Sequence, residues 1–319
     1  MDLDLTQLAA LSAAVSEGSF DAAARRLRIT PSAVSQRIKA LENSVGRVLV
    51  RRSKPVEATE SGRVLLRLAR QIESLGADVA RELGDGSGDP GGAFDPGSGG
   101  AGGAAGEALP RVPMPIAVNA DSLATWILPA LAGLASRLDF DFYREDQNHT
   151  TALLREGTVM AAITSVAEPV QGCSSRALGG MRYRPMASAA FAARWFAEGM
   201  SLEALRWAPV VVFDRRDDLQ DEYLQRWADR GGAERLAPPR HHVPASADFA
   251  AAVALGFGWG MMPELQSRTL EPALVDLDPS GAIDVQLYWQ QWQLHTRALE
   301  VTAETIGAAA ARVLLPPAP

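Results

Sequence analysis

Apolar residues recur three and four positions apart from the start of the chain. Leu5, Leu8, Leu11 and Val15 mark a first helix, broken at Gly18-Ser19. Phe20, Ala23, Ala24 and Leu27 repeat the i, i+3, i+4, i+7 spacing, with Ser19 placed to cap that helix. Val34, Ile38 and Leu41 mark a third helix. Thr30 offers its cap hydroxyl, and Pro31 at the first position gives up no hydrogen bond the helix needs. The pattern over 20–42 therefore predicts two short helices joined by a tight turn, with the first helix packed behind them. Residues 48–52 and those around Val56 predict a short β-ribbon turning at Ser53-Lys54-Pro55. From Thr59 a longer helix carries Leu65, Leu68, Ile72, Leu75 and Val79, alternately three and four apart, as in a coiled-coil seam. One helix cannot bury that seam alone. It either joins a second copy in a homodimer or packs on the chain's own domains.

The pattern stops at 84–106, where eleven of 23 residues are glycine and Phe94 is the one large apolar residue. Such a segment has nothing to bury and predicts a flexible linker. Periodicity resumes at Val112 as strand–helix alternation. A strand at 114–118 leads through a turn at 119–122 to a helix at 123–138, with Pro129 at or near a break. A strand at 140–143, a helix at 150–156 and a strand at 159–163 ending in Thr164-Ser165 follow. A second copy runs from a strand at 209–213 through a helix at 217–228. His242-Val243-Pro244 then reaches Ser246 as the cap of a helix at 248–255, and a strand at 259–263 closes the copy. Alternation of this kind predicts a mostly parallel α/β sheet with ligands at the carboxyl ends of its strands.

A length of 319 residues adds the expectation of two or three domains. The single cysteine, Cys173, excludes an intramolecular disulfide framework and suits a reducing cytoplasm. Asp2 and Asp4 stand where an export signal would carry positive charge. The longest apolar run, 249–262, holds three glycines and is too short to span a membrane. A cytoplasmic protein without a membrane partner is expected.

Charge changes the picture most. Residues 21–54 carry nine Lys/Arg against two acids, a local net of +7, which leaves −14 elsewhere in a chain of net charge −7. A basic head on an acidic body predicts a local polyanion-binding surface. On the third helix Ser32, Ser35, Gln36 and Lys39 fall opposite the apolar stripe, and these groups read base edges and phosphates in a major groove. Arg51, Arg52 and Lys54 on the ribbon would ride on the phosphate backbone. A dimer would place two such helices about one turn of DNA apart.

The series Phe-x-x-Ala-Ala-x-x-Leu…Pro-Ser-Ala-Val-Ser-x-x-Ile-x-x-Leu-Glu over 20–42 resembles the DNA-binding module of LysR-type transcriptional regulators. The resemblance covers nearly the whole chain. It implies an α-helical winged helix-turn-helix at 1–58 and a linker dimerisation helix at 59–83. The Gly-rich 84–111 connector departs from the family pattern. An α/β, two-lobed, periplasmic-binding-protein-like effector domain follows at 112–319, with lobe I at 112–185 and 284–315 and lobe II at 186–283. It adds Arg28, Pro31 and Arg37 to the expected DNA-binding residues. Residues 118–126, Phe213-Asp214 with Asp217-Asp218, Met261-Met262-Pro263 and Leu287-Tyr288-Trp289 are similar to the ArgP/LysG branch, which regulates export of basic amino acids. The implied partners are double-stranded promoter DNA, a lysine or arginine effector, RNA polymerase, and further copies of the chain as a homodimer and a tetramer.

The presumed cleft suits such an effector. Its carboxylate needs hydroxyl and backbone N–H donors, which Ser122, Thr164, Ser165 and Ser246 are placed to offer. Its side-chain cation needs acids, for which Glu145, Asp146 and Asp214 stand at strand ends. Asp217 and Asp218 are expected on a helix surface, and Cys173 is expected to be inert. His241 and His242 lack a third ligand nearby, so no metal and no cofactor is expected. No nucleophile elbow, phosphate-binding glycine fingerprint or zinc spacing supports an enzyme. The competing function is an effector-independent architectural DNA binder that inhibits replication initiation, which an apolar cleft without acid–hydroxyl pairing would favour.

Overall fold

The computed structural model describes residues 3–84, 111–144, 147–232, 235–271 and 273–317. The predicted Gly-rich linker lies outside the described residues, apart from Gly84 and Arg111, as do Glu145 and Asp146.

The head is built from α1 (Leu5–Ser16), α2 (Phe20–Leu27) and α3 (Pro31–Val45). Ser19 Oγ accepts the Ala22 N–H at 3.2 Å and Thr30 Oγ1 accepts the Ala33 N–H at 3.2 Å, so both predicted caps form. Leu8, Leu11, Ala23, Ala24, Val34, Ile38 and Leu41 bury together as the core of this unit. The ribbon is present but shorter than its apolar pattern, with β1 (Val50–Arg51) antiparallel to β2 (Glu57–Ala58).

Thr59 opens α4 (Glu60–Gly84), accepting the Gly62 N–H at 3.1 Å. At Gly62 the helix lies on the ribbon's backbone, where a Cβ would fall 1.9 Å from the Leu49 carbonyl oxygen. The coiled-coil seam divides. Leu65, Leu68 and Ile72 pack into the head's own core, while Leu75 and Val79 remain 41% and 53% exposed.

The body holds a seven-stranded sheet in the order β10 (Val275–Asp276), β6 (Cys173–Ala187), β11 (Ile283–Trp292), β5 (Ala161–Thr164), β3 (Val112–Val118) and β4 (Leu138–Arg144), with β9 (Gly260–Pro263) also on β6. Its first half comprises β3 (Val112–Val118), α5 (Ala120–Ser122), β4 (Leu138–Arg144), α7 (Gln147–Arg155) and β5 (Ala161–Thr164). Between α5 and β4 the helical path continues as a π turn at Leu123–Ile127, α6 (Leu128–Leu131) and a 3-10 turn at Ala132–Leu134. Pro129 has no N–H for the carbonyl one turn back, and the ladder widens beside it. The predicted helix at 123–138 is corrected at its end, because Leu138 opens β4.

The long strand β6 (Cys173–Ala187) leaves this lobe, followed by α8 (Ala189–Trp195), α9 (Leu202–Trp207), β7 (Val210–Val212) and α10 (Leu219–Gly231). Next come β8 (Arg240–His242), α11 (Ser246–Ala254), β9 (Gly260–Pro263), α12 (Glu264–Ser267) and β10 (Val275–Asp276). The chain returns along β11 (Ile283–Trp292) and ends in α13 (Arg297–Val313). The expectation of a mostly parallel sheet is corrected. β3 runs parallel to β4 and β5, but β6 pairs antiparallel with β9, β10 and β11, and β11 antiparallel with β5. The chain leaves along β6 and returns along its neighbour β11, so the two must oppose each other. No described helix is long and apolar enough to cross a membrane.

Candidate functional site

Two surfaces carry the candidate chemistry. On the head, Arg28, Pro31, Ser32, Gln36, Lys39, Arg51, Arg52 and Lys54 are exposed, and Ser35 and Arg37 are half-buried. Burying Val34, Ile38 and Leu41 leaves the opposite face of α3 to solvent. Arg52 is committed within the head. Its guanidinium lies 5.5 Å from the centroid of the Phe20 ring, and Nη2 donates to Ser35 Oγ at 3.4 Å, tying the ribbon to α2 and α3. Arg28 closes α2 in the left-handed region at φ 54°.

The second surface is a cleft of about 610 Å³ in the body. Its walls include Asn119, Asp121, Tyr183, Asp214, Asp217 and Asp284. Asn119 caps α5 by accepting the Ser122 N–H at 3.0 Å, which leaves Asp121 in the first turn free to face inward. Asp121 Oδ2 accepts from Tyr183 Oη and Oδ1 from Ser246 Oγ, each at 2.8 Å. Burial pushes the Asp121 carboxyl above the usual carboxylate range, opposed by these two hydroxyl donors. Burial, followed by the nearby Asp121 charge, pushes the Tyr183 phenol well up. Asp217 accepts the backbone N–H groups of Phe213 and Leu219, each at 3.1 Å. Burial raises its carboxyl as well, with further upward pushes from Asp121 and Asp214. Asp214 Oδ1 accepts from the Arg216 and Asp217 N–H groups at 2.7 and 3.1 Å. Asp121 from one lobe and Asp214 and Asp217 from the other thus line one space, which Arg144, Arg216 and Arg226 also border.

Of the six residues expected to bind an effector, Asp214 lines this cleft. The expected role of Ser122 as an amide donor is corrected, since that N–H is spent on Asn119 and the buried hydroxyl has no partner among the described residues. Ser246 sits inside α11 rather than at its cap, and its hydroxyl serves Asp121. Thr164 is buried in β5 opposite Tyr288, with Oγ1 accepting the Val166 N–H at 3.2 Å. Neither Thr164 nor the half-buried Ser165 is among the lining residues. Asp217 was expected on a helix surface, but it precedes α10 and faces the cleft.

Sequence reasoning missed Asp121 and Tyr183. Asn119 at a strand end offered itself as a cap, but the turn gave no sign that the acid two residues on would face inward. Tyr183 lies on a strand whose alternating arginines hid it. His241 and His242 are exposed on β8, with His241 edge-on to Phe257 at 5.5 Å. No group of three metal-binding side chains occurs among the described residues. Cys173 is buried and its thiol pushed up by burial.

Comparison with known proteins bears on both surfaces. Residues 5–63 match the family described as "Bacterial regulatory helix-turn-helix protein, lysR family", and residues 115–311 match the "LysR substrate binding domain". The chain is 43% identical over 309 residues to the HTH-type transcriptional regulator LysG of Mycobacterium tuberculosis, covering 97% of this chain and 94% of that one. It is 37% identical over 318 residues to the lysine export transcriptional regulatory protein LysG of Corynebacterium glutamicum, covering 97% and 99%. Among solved structures, ArgP from Mycobacterium tuberculosis superposes with a TM-score of 0.79 at 41% identity, over 98% and 99% of the two chains. Full-length LysG from Corynebacterium glutamicum with bound effector Arg superposes with a TM-score of 0.70 at 34% identity, over 98% and 100%.

Proposed function

Because the chain belongs to the LysR family of bacterial helix-turn-helix regulators, we propose that it binds promoter DNA and senses a basic amino acid, lysine or arginine. In this reading it controls transcription of an exporter gene for such amino acids. The convergence of Asp121, Asp214 and Asp217 on the cleft carries the effector half of the proposal. Asp121 is held there by hydroxyls rather than by one of the arginines that also line the cleft, so its charge is left for the effector's cation. Of the first-turn amides of the helical path that starts at Ala120, that of Ser122 is taken by Asn119, which leaves those of Ala120 and Asp121 for the effector's carboxylate. This acid–hydroxyl pairing argues against an effector-independent architectural role. The name of the Corynebacterium glutamicum relative and the arginine bound in its structure support the same ligand class.

On the head, Ser32, Ser35, Gln36 and Lys39 would read bases, with Arg28, Pro31, Arg37, Arg51, Arg52 and Lys54 setting the register on phosphates or against α3. The protein would act in the cytoplasm as a homodimer, assembling to a tetramer, and engage RNA polymerase at the promoter. The working division is a head at 1–58, a dimerisation helix at 59–83, a connector at 84–111 and the effector domain from 112.

Calorimetry of the full chain with arginine, lysine and histidine tests the ligand. Heat is expected with arginine or lysine. Asp214→Asn and Asp217→Asn should each weaken binding by about 10-fold or more, the scale of a lost hydrogen bond to a charged group. Silence with all three amino acids, in protein that still binds DNA, would overturn the effector reading.

A further inference from the structure

The head and the body meet along one face of α4, where Arg63, Arg67 and Arg70 recur at helical spacing. Arg63 pairs with Glu156 at 3.2 Å, and Arg67 Nη2 donates to the Gln171 carbonyl at 3.1 Å. Arg70 divides its guanidinium between the two units. Nη1 donates to the Gly157 carbonyl, and Nη2 reaches the Ser16 hydroxyl on α1 at 3.3 Å. Two turns further on, Asp78 Oδ2 accepts the Arg297 N–H at 2.8 Å, setting a carboxylate on the N-terminus of the 17-residue α13. Gly157, at φ 72°, allows the close approach, since a Cβ there would fall 2.4 Å from Arg67 Cβ.

The anchor points on the body continue into the strands that reach the cleft. Gln171 lies just before β6, and the Gln293 N–H, just after β11, donates to the Gly172 carbonyl at 3.1 Å. From there β6 and β11 run side by side, from Cys173 opposite Trp292 to Tyr183 opposite Ile283. Tyr183, Ile283 and Asp284 line the cleft. The ribbon spans about 30 Å at ~3.3 Å per residue, with a bulge between Leu287 and Tyr288. One end lies beneath α4 and the other in the effector site.

We propose that the arginine face of α4 is a latch that docks the head on the effector domain, and that occupancy of the cleft reaches the DNA-binding face through it. The coupling half rests on the effector reading, whereas the docking half does not. The experiment uses the full chain with spin labels at Asn43→Cys on α3 and Ser136→Cys before β4, diluted with unlabelled chain so that distances within one chain dominate. The unsubstituted chain should give one narrow distance. Arg67→Glu opposes the carbonyl contacts from one side, and Glu156→Arg repels Arg63 from the other, so each variant checks the folding of the other. Both should broaden and lengthen the distance while calorimetry still shows arginine bound, at an affinity shifted by the coupling that docking contributes. Both should also bring the ratio of DNA affinities with and without arginine close to one. Distances unchanged in both variants would overturn the docking. Broadened distances with an intact ratio would overturn the path. If arginine gives no heat with the unsubstituted chain, the effector reading fails alone and the distances still decide the latch.

Discussion

Asp121, half-buried at the cleft wall, takes its hydrogen bonds from two hydroxyls, and that choice has a cost in the ligand-free protein. Its carboxyl is pushed above the usual range in the folded state, so the folded chain holds that proton to higher pH than the unfolded chain does. The group's contribution is therefore most favourable below the ordinary carboxylate pKa and declines as pH rises through the folded value. At neutral pH an ionised Asp121 weighs against the ligand-free fold. Asp121→Asn should accordingly raise the Tm of ligand-free protein at pH 7, with the gain shrinking at pH 4, while weakening binding of a cationic effector. Thermal melts at the two pH values check this; a variant that melts lower at both would show that the carboxylate stabilises the empty cleft. Asp217 is shifted in the same direction, also chiefly by burial. Little of this was legible in the sequence. Asn-Ala-Asp-Ser reads as a turn, and only the fold shows that Asn119 takes the cap and turns Asp121 inward.

Among the elements, those whose burial pattern is local were the easiest to read. The caps Ser19 and Thr30 and the stripe Val34, Ile38 and Leu41 are set by neighbours within a few residues, and the head follows from them. β6 was not legible. Ser174, Ser175, Arg176, Arg182 and Arg184 interrupt its apolar positions, and Arg182 and Arg184 find Asp284 and Asp276 on the adjoining strands only after folding. Ser246 shows the same limit, since the chain offers it as a cap and a carboxylate 125 residues away claims its hydroxyl. Gly62 belongs to this scale too. The Leu49 carbonyl occupies the space of its missing side chain, so Gly62→Ala forces α4 away from the ribbon. Overpacking of this kind costs about 1–3 kcal/mol. Chemical denaturation of the head, followed by its helical signal, should show a loss of that size, and no change would mean that α4 tolerates the shift.

In the whole molecule, the divided seam on α4 limits where a second copy could pack on this helix. Leu65, Leu68 and Ile72 are already used within the chain, which leaves Leu75 and Val79 as the uncovered part. A dimer built on the seam would therefore depend on its far end. Leu75→Glu with Val79→Glu should shift sedimentation toward the monomer and weaken binding to a two-fold operator, with the head's helical content unchanged. A dimer of undiminished stability would place the contact elsewhere.

The division of charge between head and body has one more consequence. A +7 patch at one end of a molecule whose remainder carries −14 is a large permanent electric dipole. In the field of a DNA duplex the head is pulled and the remainder is pushed away, so the molecule experiences a turning force and arrives head first. The acidic remainder, pushed outward, stays clear of the phosphates, so the orientation needed for binding is selected before contact is made. Added salt removes the pull and the alignment together within a screening length of about 8 Å at physiological ionic strength. The association rate should then fall less steeply with salt than it would for an isolated basic head of the same charge, because salt also screens the repulsion between the acidic remainder and the phosphates.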